Sequence, residues 1–212
     1  MASADRSLIL ATANRAKARE MAALLAGLPL RVLHLGDFPG VVLPPEGETS
    51  YAENAFGKAR AVTTATGHTA LADDSGIEVD ALGGRPGVLS ARFGGEGLDD
   101  EGRNDAMLAA LAGVPTARRT ARYRCLIALC APDGREAVTE GVVEGVLLEA
   151  RRGGRGFGYD PLFYYPPLAA TFAEITAQAK HVVSHRGRAM AAAREILSRW
   201  LGAAEASGES VS

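Results

Sequence analysis

A mixed α/β sheet is the fold class this sequence predicts, on three observations. Short apolar runs alternate with helix-periodic stretches through the first half of the chain, the pattern of strands feeding helices that cover a sheet. Two long alternating segments then meet at Pro132-Asp133-Gly134, which reads as an antiparallel hairpin and makes the sheet mixed rather than purely parallel. With 47% hydrophobic and 23% charged residues in 212, the chain has the balance of a folded domain and enough apolar material for a sizeable core.

The elements follow in order. Ser7–Thr12 reads as a buried strand, and a helix from Arg15 to Leu25 follows, its apolar stripe being Met21, Leu24, Leu25 and Leu28. Leu30–Leu35 is a second strand. Val41–Glu48, carrying Pro44, Pro45 and Gly47, is a loop. Ser50 and Glu53 have capping-box spacing and open a helix to about Ala65. Thr69–Asp73 and Gly76–Leu82 read as two strands separated by a Ser75-Gly76 turn, and 83–87 as a Gly-rich loop. A helix over 100–112 follows, with Met107, Leu108 and Leu111 on its apolar side. Thr120–Ala131 and Glu136–Glu149 are the hairpin strands. A Gly-rich loop over 153–158 leads into a short aromatic strand and a short helix near Glu174–Gln178. Ser184 caps a last helix to about Leu201. Residues 1–202 read as one domain, and 203–212, small and polar, as a flexible tail.

Composition narrows the function classes. A net charge of −2 gives no general attraction to nucleic acid or to an anionic membrane. No segment approaches the roughly 18 apolar residues of a spanning helix, and the polar start, Met1 to Arg6, does not read as a secretory leader. Cys125 and Cys130 lie five apart in one strand, hence on opposite faces, where they cannot bridge. A reduced, cytoplasmic compartment is the simplest expectation. Neither CxxC nor HExxH occurs, which argues against zinc.

Four segments could carry chemistry. In Thr12-Ala13-Asn14-Arg15-Ala16-Lys17, Asn14 is a helix cap and the N–H groups behind it suit an anion. Arg15, Lys17 and Arg19 crowd that helix start, where the dipole disfavours cations by ~0.3–1 kcal/mol each; a bound polyphosphate would turn the conflict into an asset, and a solvated basic face is the alternative. Only three of the 23 basic residues are lysine, Lys17, Lys58 and Lys180, which points to positions where a compact ammonium serves better than a planar guanidinium, with chance placement as the alternative. In Ala72-Asp73-Asp74-Ser75-Gly76 two adjacent carboxylates repel each other and a turn would expose them; a hard cation such as Mg2+ would resolve the repulsion, and a carboxylate there could take a proton from water. A solvent-facing turn is the alternative. Around Phe157-Gly158-Tyr159-Asp160, five of the chain's aromatic residues fall within nine positions, so Phe157 could meet a flat ligand across flanking glycines; a core strand entered through a glycine turn is the alternative, accepted for Phe163. Finally Lys180 and Ser184-His185-Arg186 place donors for purine carbonyls or phosphate at a second helix start. Lys58, beside Glu53 and Asn54, is either an exposed solubilising residue or a phosphate contact.

Taken in order, these segments resemble the Ham1/inosine-triphosphate pyrophosphatase family. The resemblance rests on Ala11-Thr12-Ala13-Asn14 with Lys17 and Glu20, on Glu53-Asn54-Ala55 with Lys58, and on 72–76. It continues through 82–87 with Ser90-Ala91-Arg92, through 156–161, and through Ala173-Glu174-Ile175-Thr176 leading to Lys180 and 184–186. It implies a long curved mixed sheet with flanking helices, two lobes around a central substrate cleft, and a homodimer. It also implies hydrolysis of dITP/ITP and dXTP/XTP to the nucleoside monophosphate and pyrophosphate with Mg2+. Under it Asp74 is proton acceptor and metal ligand, with Glu46 as a further metal contact; the repulsion within the aspartate pair adds Asp73 as a third candidate for the metal. Thr12, Ala13, Asn14, Arg15, Ala16 and Lys17 bind the triphosphate, Ser75 touches substrate, and Phe157, Gly158, Tyr159, Asp160, Lys180, His185 and Arg186 recognise the base. Two residues depart from the family pattern, Ala13 in place of glycine and His181 in place of asparagine; Ala13 would strain the turn if that backbone needs positive φ. A non-catalytic nucleotide-binding regulator, a phosphatase removing the terminal phosphate and a nucleic-acid-binding module are the rival readings, the last disfavoured by the net charge.

Overall fold

The computed structural model describes the backbone of residues 6–208 and the side chains of 6–202. Its strands are β1 (Ser7–Leu10), β2 (Arg31–His34), β3 (Thr69–Val79), β4 (Thr120–Cys130), β5 (Glu136–Leu147), β6 (Phe163–Tyr165) and β7 (Ala170–Thr171). Its helices are α1 (Arg15–Leu25), α2 (Tyr51–Thr66), α3 (Asp100–Ala110), α4 (Ala177–Val183) and α5 (His185–Gly208). The strands form one sheet in the order β2-β1-β3-β4-β5-β6-β7. Pairing is parallel among β2, β1 and β3 and antiparallel from β3 onward, so the mixed sheet with flanking helices is the fold observed.

Side-chain alternation sorts the core by face. Leu8, Leu10, Leu71, Cys125 and Ile127 pack under α1 and α5, whereas Ile9, Ala70, Ala72, Ala128 and Cys130 pack under α2. The two cysteines are free and on opposite faces, as a five-residue separation in a strand requires. A third core joins the far ends of β3–β5 to α3 and to the aromatic strand through Ile77, Met107, Tyr123, Phe163 and Phe172. Phe163 is wholly buried there. Among the described residues no helix is long and apolar enough to cross a membrane.

Three expectations are corrected. The turn expected at Ser75-Gly76 is absent: β3 runs unbroken and pairs with β4 from Ala70 opposite Cys130 to Val79 opposite Ala121. Gly76 answers a different need, because a Cβ there would lie 2.1 Å from the Gly87 carbonyl oxygen and 2.6 Å from Ser90 Oγ. The short 3-10 segment Gly87–Arg92 presses against the strand. The helix expected near Glu174–Gln178 starts later, with Thr176 as N-cap accepting from the Ala179 amide. The last helix passes Leu201 and reaches Gly208, since Ala203, Ala204 and Ala206 favour continuation; the end of the expected tail, 209–212, lies outside the described residues.

Candidate active site

Asn14, at the end of the β1–α1 turn, caps α1 by accepting from the Ala16 and Lys17 amides at 2.9 and 3.1 Å. Its own amide donates to Thr12 Oγ1 at 3.2 Å. The cap directs Lys17 towards the middle of β3, where a cleft of about 750 Å³, counting the solvent at its mouth, opens against the 155–160 loop and the α4–α5 junction. Asn14, Lys17, Glu46, Asp74 and Ser75 line it together with Phe157, Gly158, Lys180, His185 and Arg186, and Arg186 Nη2 donates to Ser75 Oγ at 2.9 Å.

The twin aspartates do different work. Being consecutive in a strand, they leave on opposite faces, and both are buried. Asp73 Oδ2 accepts from Arg186 Nη2 at 3.0 Å and Nε at 3.2 Å, and pairs with Lys17 Nζ at 3.1 Å. Burial disfavours its charge, but Lys17, Arg186 and Lys58 outweigh burial and hold the carboxyl well below the usual range. Asp73 is therefore a structural counter-ion within a cation cluster, and the expectation of an exposed pair sharing one metal is corrected for it. Asp74 faces the α2 side. Its Oδ2 accepts from Asn54 Nδ2 at 2.9 Å and its Oδ1 from the Ser75 amide at 2.9 Å. Burial raises its pKa, against the pull of Lys58, Asn54 and Lys17.

Lys58 is buried, not exposed. Its ammonium meets Glu46 Oε1 at 2.5 Å and the Asp73 carbonyl at 2.6 Å, and it does not line the cleft. Burial opposes its charge, yet Asp73, Glu46 and Asp74 raise its pKa. Its geometry is that of a brace for the Glu46 loop, which corrects the expected phosphate contact.

Lys180 Nζ meets Asp160 Oδ2 at 2.5 Å and Glu20 Oε1 at 2.9 Å. Arg186 Nη1 meets Glu20 Oε2 at 2.7 Å. Both cations lie over the Phe157 ring, at 4.7 and 5.6 Å from its centroid, so the ring also holds the cations in place. Lys17, Lys180 and Arg186 are thus each matched by a buried carboxylate. An ammonium has three N–H donors, so Lys180 keeps one beyond these two partners. Asp160 also accepts from the Phe157 amide at 2.9 Å, which closes the loop; burial raises its pKa and Lys180 opposes the rise. Tyr159 is a core residue whose hydroxyl donates to the Ser90 carbonyl at 2.8 Å. Gly158 is held by α3, its amide on Asp100 Oδ2 and its carbonyl on Asn104 Nδ2 at 2.6 and 2.9 Å.

Gly156 has a φ of 75°, and a Cβ there would sit 2.0 Å from Asp160 Oδ2. Gly156→Ala is expected to destabilise the protein by about 1–3 kcal/mol through strain and a displaced carboxylate. A thermal melt checks it, and an unchanged midpoint would refute the tight fit.

His185 is expected among the donors at the start of the last helix. It is instead buried and stacked on Tyr123, with ring centroids 4.5 Å apart and an interplanar angle of 11°. Nδ1 has no hydrogen-bond partner. Burial, then Arg186 and Lys180, hold its pKa well below the ordinary histidine value, so the imidazole is neutral. The unfolded chain takes up a proton that the native state refuses, so this contribution is present above about pH 6.5 and is lost as pH falls. Between pH 6.5 and 5 the wild type should lose up to about 2 kcal/mol relative to His185→Gln, read from urea midpoints at each pH. Parallel curves would show that His185 protonates in the native state.

Thr12, Ala13 and Arg15, expected in the site, line a neighbouring groove with His34 and Phe38, and Ala16 and His181 line neither cavity. A helix start presents one face to the cleft and turns the others away, which sequence spacing alone does not resolve. Ala13 carries no strain, since Ala169 is the only non-glycine residue with positive φ among the described residues. Tyr123 lines the cleft, and Glu20 and Asn54 hold its lining residues from outside; local sequence rules single out none of the three. Glu20 is one helical turn from Lys17, and its pKa is lowered because Arg186 and Lys180 overcome burial; only the tertiary approach of α4 and α5 supplies those partners.

Comparison with known proteins places this geometry. Residues 8–196 match the model of the Ham1 family. The chain is 50% identical to a dITP/XTP pyrophosphatase of Desulforamulus reducens, over 91% of this chain and 96% of that protein. It is 49% identical to another of Geobacter sulfurreducens, over 92% and 98%. Among solved structures, a Ham1 protein from Staphylococcus aureus superposes with a TM-score of 0.81 at 32% identity, covering 92% of this chain and 99% of that one. One from Coxiella burnetii gives 0.80 at 37%, covering 91% and 98%.

Proposed function

The chain belongs to the Ham1 family, and from that premise we propose that it hydrolyses the non-canonical purine nucleoside triphosphates dITP/ITP and dXTP/XTP to monophosphate and pyrophosphate. The observation that carries the reading is that one cleft joins Lys17 and Asp74 to Phe157, Lys180 and Arg186, so one molecule can present its charged tail and its flat ring together.

Magnesium fits the donor set. Glu46 and Asp74 both line the cleft, and Asp74 accepts only two hydrogen bonds, leaving lone pairs of a carboxylate that offers about four. Among the described residues no three His, Cys, Asp or Glu side chains gather to hold a metal; Mg2+ commonly takes only one or two carboxylates and completes its shell with water and phosphate oxygens. Glu46 and Asp74 would hold the ion, which when bound supplies charge neutralisation at the phosphates.

The remaining chemistry falls to the chain. Asn14 and Lys17 anchor the phosphate tail. Asp74 orients the water that attacks the α-phosphorus and takes its proton, a role suited to a carboxylate whose pKa is raised. Lys180 and Arg186 donate to the 6-oxo edge of hypoxanthine or xanthine, where adenine would present an amino group, and a site built on such bonds rejects the mismatch strongly. The neutral His185, with Nδ1 unpartnered, adds a further polar contact. A homodimer in a reducing cytoplasm completes the proposal, the latter suited to two free cysteines.

Purified protein with magnesium and a panel of triphosphates tests it. Inosine triphosphate should yield pyrophosphate and monophosphate, with ATP turned over at least about 100-fold less efficiently. Orthophosphate with diphosphate would instead establish a terminal phosphatase, binding without turnover a regulator, and tight salt-sensitive RNA binding a nucleic-acid module.

A further inference from the structure

Asn54 falls in the first turns of α2, and it is buried at 7% exposure. A carboxamide offers two N–H donors and one carbonyl acceptor, and every one is used across two other elements. Oδ1 accepts from the Gly47 amide at 2.7 Å, while Nδ2 donates to the Gly47 carbonyl at 3.1 Å and to Asp74 Oδ2 at 2.9 Å. Anchoring the loop needs only the two bonds to Gly47. The third reaches the one carboxylate to which the hydrolytic step has been assigned.

We propose that Asn54 is a positioning residue that sets the Asp74 carboxylate and the Glu46–Gly47 loop in a common register, so that acidic side chains from two separate elements face one point in the cleft. The inference rests on the hydrolase reading. Asp74 is pinned at both oxygens, by Asn54 on one and the Ser75 amide on the other, and its remaining lone pairs are aimed as a consequence. Glu46 precedes Gly47 directly, so fixing both backbone polar groups of Gly47 fixes the origin of the Glu46 side chain, whose Oε1 is steadied by Lys58. No other side chain of this length matches the pattern: leucine has no polar atoms, and aspartate would set an acceptor against both the Gly47 carbonyl and Asp74.

The test uses full-length Asn54→Ala and Asn54→Leu, the second nearly isosteric, with three readouts on protein shown to be folded by thermal melting. These are calorimetric affinity for Mn2+ without nucleotide, kcat and KM for inosine triphosphate. Removal of an outer partner of a metal-binding carboxylate costs roughly 10–100-fold in metal affinity or rate. Both Mn2+ affinity and kcat should fall by about that factor while KM stays within about three-fold, the signature of lost positioning rather than lost binding. A merely structural Asn54 would lower the melting temperature and leave Mn2+ affinity and kcat of the folded molecules within about two-fold, which overturns the proposal. So would a change confined to KM, or wild-type protein that binds no Mn2+. If one variant fails to fold, the other decides. Failure of the wild type to release pyrophosphate would instead overturn the hydrolase reading, and Asn54 would then be judged on Mn2+ affinity alone.

Discussion

Asp74→Asn is expected to lower kcat for inosine triphosphate by about 10²–10⁴-fold, the contribution usual for a positioned general base, and to leave the melting temperature unchanged or slightly raised. The second half of that expectation comes from the direction of its pKa shift. Burial raises the Asp74 pKa above the ordinary aspartate value, so the folded state disfavours this charge relative to the unfolded chain. An amide of the same shape removes the burden, and its oxygen still accepts from Asn54, while the bond from the Ser75 amide is lost and offsets part of the gain. Stopped or coupled assays of pyrophosphate release, beside a melt of the same preparation, measure both halves. Activity within ten-fold of wild type would remove Asp74 from the reaction.

The neighbouring residue should behave in the opposite sense. Asp73→Asn is expected to destabilise the protein by about 3–5 kcal/mol, because removing one member of a buried ion cluster leaves the others uncompensated. At roughly 2–4 °C per kcal/mol for a domain of this size, the melt should move by about 6–20 °C. Arg186 and Lys17 both lean on Asp73 Oδ2, and Arg186 is almost wholly buried. The Asp73 pKa is depressed, so its contribution is present above the unfolded value near 4 and is lost as pH falls through the folded one. The wild type should therefore lose its advantage over Asp73→Asn in acid. A melt of Asp73→Asn coincident with wild type at neutral pH would refute the counter-ion role.

These contrasting expectations for adjacent residues mark the limit of what local sequence rules encode. The Asp73-Asp74 pair was visible as a place of chemistry, but a Ser-Gly step after two acids reads as a turn by local rules. The strand continues because β4 pairs with it throughout and because Gly76 is demanded by the backbone of Gly87, a contact eleven residues away. Once the strand is unbroken, alternation sends the two carboxylates to opposite faces. Lys58 was misplaced for a similar reason. On an isolated helix it is a solvated lysine, and only the packing of α2 on β3, with the Glu46 loop laid across it, buries the ammonium on fixed partners. The sequence records His185 as a residue type, whereas its neutral state is set first by burial, then by the adjacent Arg186 and by Lys180, which the fold brings in from α4.

By itself the sequence determined what local chemistry controls. The mixed α/β class, α1 from Arg15 to Leu25, the Asn14, Ser50 and Ser184 caps, the hairpin at 132–134 and the opposite faces of the two cysteines all follow from periodicity, capping and alternation. The ordered motifs pointed to the family. Tertiary structure alone decided which candidate residues share a cavity, which cations already have a carboxylate, and which of two consecutive aspartates keeps lone pairs turned to the cleft. The physical reason is range: capping and periodicity act over a few residues, while desolvation and ion pairing depend on groups such as Glu20 and Lys180, 160 positions apart in the chain and 2.9 Å apart in the fold.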